Sequence, residues 1–238
     1  MKADLASATA SNSLIIFARY PRLGQVKTRL EPDLGAQRCL LLYEAMLADC
    51  VERSFLVDCS RYLFLDGCDF TEGRELVQRI RNQNEHEITV CLQEGTDLGE
   101  RMWKAYTEVS RHSSRVVIMG SDSPSAPLEF IRSAFDVLVD VPLVFGPVED
   151  GGYYLIGLSG PRQEVFQSIQ WGTSSVLAET IAKLAHTDYK LLPEWYDIDD
   201  RDDLDRLASD LADPFEGYPR RTAEYLRESK HLSSDDPF

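Results

Sequence analysis

Short apolar runs alternate along the chain with stretches whose apolar residues recur at helical spacing. Leu14–Ala18 (LIIFA), Arg61–Leu65 (RYLFL), Ile88–Leu92 (ITVCL) and Val116–Met119 (VVIM) read as buried strands, as do Leu143–Phe145 and Tyr153–Leu158. Lys190–Leu192 reads as a further short strand. Between them, Ala36–Phe55 carries Leu40, Leu41, Leu42, Met46, Leu47 and Val51 on a helical repeat, which predicts a long amphipathic helix packed into the core. Further helices are predicted over Glu72–Arg81, from the Asp97 cap to about Ser110, over Leu128–Val139 after Pro127, and over Thr173–Ala185 and Asp202–Leu211. Strands that alternate with helices imply an α/β protein of βαβ units, a mostly parallel sheet and helices on both faces. No linker or repeat interrupts the pattern, so residues 14–228 are expected to form one domain between polar tails at 1–13 and 229–238.

Composition narrows the function classes. The 238 residues include 25 Lys plus Arg against 40 Asp plus Glu, a net charge of −15. A surface that acidic disfavours duplex DNA and anionic membranes. No apolar run reaches the roughly 20 residues that span a bilayer, and the polar N-terminus has no signal-peptide h-region. Five cysteines, an odd number with no CxxC spacing, point to a reducing cytoplasm and away from a disulfide framework or a cysteine zinc site. The four histidines are scattered, with no HExxH.

In parallel sheets, ligands bind beyond the carboxyl ends of the strands, so the residues that follow each strand carry the chemistry. After the first strand, Leu14–Leu30 holds four basic residues (Arg19, Arg22, Lys27, Arg29) and no acid, a reversal of sign in an acidic chain. Gly24 would permit close backbone approach, and Lys27 and Arg29 would meet a phosphate as point charge and bidentate fork. The alternative is a solvated loop whose cations pair with surface acids. Neither a Walker A loop nor GxGxxG is present. After the 116–119 strand, Gly120-Ser121-Asp122-Ser123-Pro124 presents Asp122 at the sheet edge, where it would hold Mg²⁺ or Mn²⁺ together with substrate phosphate, or else serve as a turn or helix cap. Arg19 and Ser121 complete the candidate nucleotide-binding set.

Asp150, Gly151 and Gly152 read either as backbone laid against a ligand or as a hairpin turn. In Trp195-Tyr-Asp197-Ile-Asp199, an extended backbone puts Asp197 and Asp199 on one face, where a cation between them would relieve their repulsion. Asp200, Asp202 and Asp203 fit the cap and first turn of the last predicted helix.

Taken together, FARYPRLGQVKTRL (17–30), DLGERM (97–102), GSDSP (120–124), GPVEDGGYYLIGL (146–158), WGTSSVLAET (171–180) and WYDIDDRDDL (195–204) resemble a widespread bacterial family in the GT-A nucleotide-diphospho-sugar transferase superfamily. Its members are labelled glycosyltransferases or radical-SAM/selenodomain-associated transferases, and they are related to molybdopterin and 2-phospholactate nucleotidyltransferases. The resemblance covers residues 14–207. It implies a single Rossmann-like three-layer α/β/α domain of GT-A type with a mostly parallel mixed sheet, a nucleotide or nucleotide-sugar donor, a small-molecule acceptor and a divalent metal. It maps the triphosphate loop onto Gly24, Lys27 and Arg29, the metal aspartate onto Asp122, and the C-terminal DxDT-type motif onto Asp197 and Asp199, with Asp200 in place of Thr. Two departures stand out. Arg19-Tyr-Pro replaces the Gly-rich segment after strand one, and Ser123 removes a strict DxD. The expected activity is metal-dependent glycosyl or nucleotidyl transfer from a nucleotide donor, with a non-catalytic nucleotide- or partner-binding module as the alternative.

Overall fold

The computed structural model describes residues 11–80 and 87–232. Of the tails expected at 1–13 and 229–238, residues 1–10 and 233–238 lie outside these residues, as does the end of the second predicted helix at Arg81, while residues 12–13 belong to a strand and 229–232 continue a helix. Seven strands form one sheet in the order β3-β2-β1-β4-β6-β5-β7: β1 (Asn12–Arg19), β2 (Ser60–Asp66), β3 (Thr89–Leu92), β4 (Arg115–Gly120), β5 (Leu143–Pro147), β6 (Tyr153–Leu158) and β7 (Tyr189–Leu191). Only β6 runs antiparallel to its neighbours among them.

The helices are α1 (Glu31–Leu34), α2 (Ala36–Ser54), α3 (Phe70–Ile80), α4 (Leu98–Val109), α5 (Leu128–Val137), α6 (Val176–Ile181), α7 (Arg201–Asp210) and α8 (Arg220–Leu232). Strand alternation decides which layer each residue joins. Leu14, Ile16 and Ala18 pack with Tyr43, Leu47, Val51, Leu76 and Ile131, so α2, α3 and α5 cover one face. Ile15, Phe64 and Ile118 point the other way, into Met102, Tyr106 and Val109 of α4. A third cluster joins Leu42 and Met46 of α2 to Leu204 and Leu207 of α7 and Leu226 of α8.

The expected layers and strand directions are thus present. Strand β1 begins two residues earlier than expected. The helix predicted over 173–185 contracts to 176–181, because Trp171–Ser175 forms a loop against the β5–β6 turn. Helices α1 and α8 had no counterpart in the sequence reading. Helix α8 is mostly polar, and its first turn is held from elsewhere in the chain. The buried Asp49 of α2 accepts the backbone N–H groups of Arg221 (3.2 Å) and Thr222 (2.7 Å).

This topology fixes the site. The chain steps outward from β1 to β2 and β3, then returns to place β4 on the other side of β1. A crevice opens at the carboxyl ends where the order reverses. Because β6 is antiparallel, its first residue, Tyr153, lies at that same edge.

Replacing Asp49 with Ala should leave two buried N–H groups of α8 unpaired and cost about 2 kcal/mol. For a chain of this size that lowers the thermal midpoint by roughly 6 °C, read by differential scanning calorimetry.

Candidate active site

The crevice is a cleft of about 740 Å³ that crosses the edges of β1, β4 and β6. Its floor is set by Tyr43 of α2. The phenol donates to the Arg19 carbonyl at 3.1 Å, accepts the Arg19 N–H at 2.9 Å and shares a hydrogen bond with Ser121 Oγ at 3.2 Å. Burial, with Asp122 nearby, raises the Tyr43 pKa, so the phenol stays protonated and acts as a clamp between the ends of β1 and β4.

Lys27 organises the centre. Its side chain is only 4% exposed. The ammonium donates to the Ile198 carbonyl at 2.6 Å, forms a close ion pair with Asp122, and lies 3.7 Å from Asp199 Oδ1. Burial alone would lower its pKa. Asp122, then Asp199 and Asp197, outweigh that effect, and the net shift is upward. The lysine backbone is left-handed, with φ of 52°. That conformation costs a non-glycine residue on the order of 1 kcal/mol and is sustained here by the buried side-chain contacts.

The segment after Trp195 is extended, as expected. Tyr196 and Ile198 are buried in the α7–α8 cluster, and Asp197 and Asp199 face the cleft. The Ile198 N–H donates to the Asp122 carbonyl at 3.0 Å, which locks this segment to the end of β4. Asp197 accepts a short hydrogen bond from Ser123 Oγ. Burial, followed by repulsion from Asp122, lifts its carboxyl pKa to about 7. Asp199 and Asp122 remain 42% and 43% exposed, and Asp199 pairs with the 73%-exposed Arg29 at 2.9 Å. Asp200 and Asp203 form the capping box of α7, the structural role expected of them.

Among the described residues, no three His, Cys, Asp or Glu side chains stand in metal-ligand geometry. The chemistry of the oxygen set still fits a hard divalent cation. Two half-exposed carboxylates face the cleft, the third is repelled by its neighbours, and Lys27 and Arg29 together leave the three acids one positive charge short. Mg²⁺ and Mn²⁺ commonly take one or two carboxylates and complete their shell with water and phosphate.

The structure brings Arg19, Lys27, Arg29, Ser121, Asp122, Asp150, Gly152, Asp197 and Asp199 to this cleft. It separates two others from it. Gly24 makes a tight turn with φ of 70° and does not line the cleft. Gly151, with φ of 90°, lies against the Ser174 backbone, where a Cβ would collide with the carbonyl. It therefore serves loop packing within the β5–β6 turn, while Asp150 and Gly152 on either side of it line the cleft. Lys27 faces carboxylates and a carbonyl rather than the open cleft.

Several lining residues escaped the sequence reading. Gln93 Nε2 bridges the carbonyls of Ala18 and Phe64. Arg101 Nη1 pairs with Asp66 at 2.7 Å. Trp171 packs over Gly99, where a Cβ would lie 2.8 Å from the indole, and meets Tyr153 edge to face. The strand-end positions of Asp66 and Gln93 are the sequence signal for them that the reading passed over.

This sheet order, with the cleft at its reversal, is the fold of the nucleotide-diphospho-sugar transferases and cytidylyltransferases. The chain belongs to the DUF2064 family, described as an uncharacterized protein conserved in bacteria, whose model matches residues 52–173. A protein from Desulfovibrio desulfuricans G20, provisionally assigned as a nucleotide-diphospho-sugar transferase, is 30% identical. The match covers 94% of this chain and 96% of that one, with a TM-score of 0.84. The 4-diphosphocytidyl-2C-methyl-D-erythritol synthase of Anaerococcus prevotii DSM 20548 is similar at 12% identity, covering 92% and 96% of the two chains with a TM-score of 0.54. CMP:2-keto-3-deoxy-manno-octonic acid synthetase, in complex with CTP, is similar at 13% identity, covering 85% and 99% with a TM-score of 0.52. These last two share the fold alone. No curated protein matches the sequence. No helix among the described residues is long and apolar enough to cross a membrane.

Two outcomes test this geometry. Lys27→Met should cost about 2 kcal/mol, or roughly 6 °C in thermal midpoint. That is less than a fully buried pair loses, because Asp122 and Asp199 are partly hydrated. A folded-state pKa of about 7 at Asp197 lies above the ordinary aspartate value. Its ionisation is therefore harder in the fold, and stability falls as pH rises from about 4 through about 7. Asp197→Asn should abolish that loss in metal-free protein, so its midpoint advantage over wild type grows across the same window.

Proposed function

We propose that this protein is a metal-dependent transferase acting on a nucleotide donor. The observation that carries the reading is the meeting of three chain-distant segments at one cleft: a basic loop after β1, Asp122 after β4, and Asp197 with Asp199 before α7. Cations and half-exposed carboxylates paired at the carboxyl edge suit a ligand rich in phosphate oxygen together with a divalent cation.

The roles divide by exposure. Arg29 and Arg19 are the accessible cations, and they would bind the donor phosphates. Lys27 neutralises Asp122 and Asp199, fixing their separation and lowering the repulsion that an incoming phosphate would meet. Asp122 and Asp199 would hold Mg²⁺ or Mn²⁺, with Asp197 behind them. When bound, such an ion neutralises phosphate charge and favours departure of the leaving group. Ser121, clamped by Tyr43, keeps the Asp122 turn in place, and Gln93 and Arg101 close the β1–β3 side.

Both glycosyl and nucleotidyl transfer fit this set. The released product separates them: a nucleoside diphosphate for the first, pyrophosphate for the second.

A thermal-shift screen of nucleoside triphosphates, nucleoside diphosphates and nucleotide sugars, with and without Mg²⁺ or Mn²⁺, tests the reading. At least one nucleotide should raise the midpoint in a metal-dependent manner, by an amount set by the ratio of ligand concentration to Kd. Asp122→Asn should remove the metal dependence. Arg29→Ala should weaken nucleotide binding about tenfold without lowering the midpoint of the free protein, and each change should reduce turnover on the order of a hundredfold. No stabilisation by any nucleotide would sink the transferase reading and favour a protein-binding module.

A further inference from the structure

The two walls of the cleft differ in charge. One wall carries both signs: Arg19 at the end of β1, Lys27 and Arg29 in the segment after it and Arg101 of α4 stand there with Asp66, Asp97, Asp122, Asp197 and Asp199. The wall on the β6 side is built from Asp150, Gly152, Tyr153, Trp171, Thr173 and Val176. Among the described residues that line it there is no Lys, Arg or His, and its one formal charge is negative. Asp150 is exposed and accepts the Gly152 N–H through Oδ1 at 2.8 Å, which leaves its second oxygen available to a ligand. Thr173 is also exposed, and its hydroxyl already donates to the Gln170 carbonyl at 2.8 Å. Tyr153 and Trp171 form a corner, with ring centroids 6.4 Å apart at 85°. The corner is rigid, because Trp171 is backed by Gly99 and the loop after it is tied to the β5–β6 turn by the Leu177 N–H to Gly151 carbonyl bond at 3.0 Å.

A phosphate or carboxylate placed on this wall would lose water and face Asp150 with no compensating cation, a strongly disfavoured exchange. A ring or chain bearing hydroxyls has the opposite fit. Its C–H groups pack on aromatic faces, and its hydroxyls donate to a carboxylate. We infer that the β6-side wall is a subsite for an uncharged polyhydroxy compound of the sugar or polyol class. Given the transferase reading on which the assignment rests, this compound is the acceptor. A hydroxyl acceptor, rather than a phosphate or carboxylate, then receives the transferred group.

Saturation-transfer NMR on the full chain, with glucose against glucose 6-phosphate and glycerol against glycerol 3-phosphate, tests the subsite. The neutral member of at least one pair should bind saturably and at least fivefold more tightly than its phosphate ester, and Trp171→Ala should remove most of its signal. Thr173→Lys, at an exposed position whose hydroxyl bonds only within its own loop, should shift the preference toward the ester by about fivefold, with an unchanged nucleotide thermal shift showing that the cleft is intact. Tighter binding of the esters by wild type, no saturable binding of either neutral probe, or binding insensitive to both substitutions would overturn the inference. A nucleotide thermal shift in the same samples separates the two claims. Metal-dependent nucleotide stabilisation with ester preference retains the transferase and loses this subsite, whereas neutral-probe binding without any nucleotide effect does the reverse.

Discussion

The buried ammonium of Lys27 is the constraint around which this site is arranged. It ties the loop after β1 to the end of β4 and to the carbonyl of Ile198, three segments separated by up to 171 residues. Each carboxylate near it is costly to bring close to the others. The lysine makes their proximity tolerable, and its left-handed backbone indicates that the loop is bent to deliver that charge. Polar residues drawn to one place in this way would otherwise scatter to solvent, since their mutual repulsion opposes folding.

Around that centre the sheet supplies position and the helices supply rigidity. The reversal of strand order leaves a gap above β1 and β4, and α2 sends Tyr43 up into it to clamp both strand ends. The antiparallel β6 brings a hairpin to the same edge, so one wall is made of strand-end loops rich in paired cations and carboxylates and the other of aromatic and small residues. The cleft is therefore asymmetric by construction, and the asymmetry follows from topology as much as from composition.

The layers and the mostly parallel sheet were legible because LIIFA and VVIM are apolar runs whose length and flanks leave few alternatives, whereas nothing in YYLIGL marks β6 as the antiparallel strand. The charge reversal around Lys27 was equally visible, as was the Asp197–Asp199 pair, since both are local patterns. What that charge faces was not. An isolated loop shows Lys27 as a free cation, and only the fold brings Asp122 and Ile198 onto it. Gly24 and Gly151 were read as making room for a ligand, yet their positive φ values serve a turn and a backbone contact; the sequence marks the need for glycine without saying what approaches it. Helix α8 was missed because its apolar stripe is thin and its start is satisfied by Asp49 of α2, a partner that no local window contains.

The contact of Gly151 with the Ser174 backbone couples two stretches of sequence that are otherwise independent. Neither the hairpin nor the Trp171–Ser175 loop can shift without displacing the other, because no side chain fits between them. A change of chemistry on this wall that keeps the backbone frame is thereby left to the exposed side chains at 150 and 173.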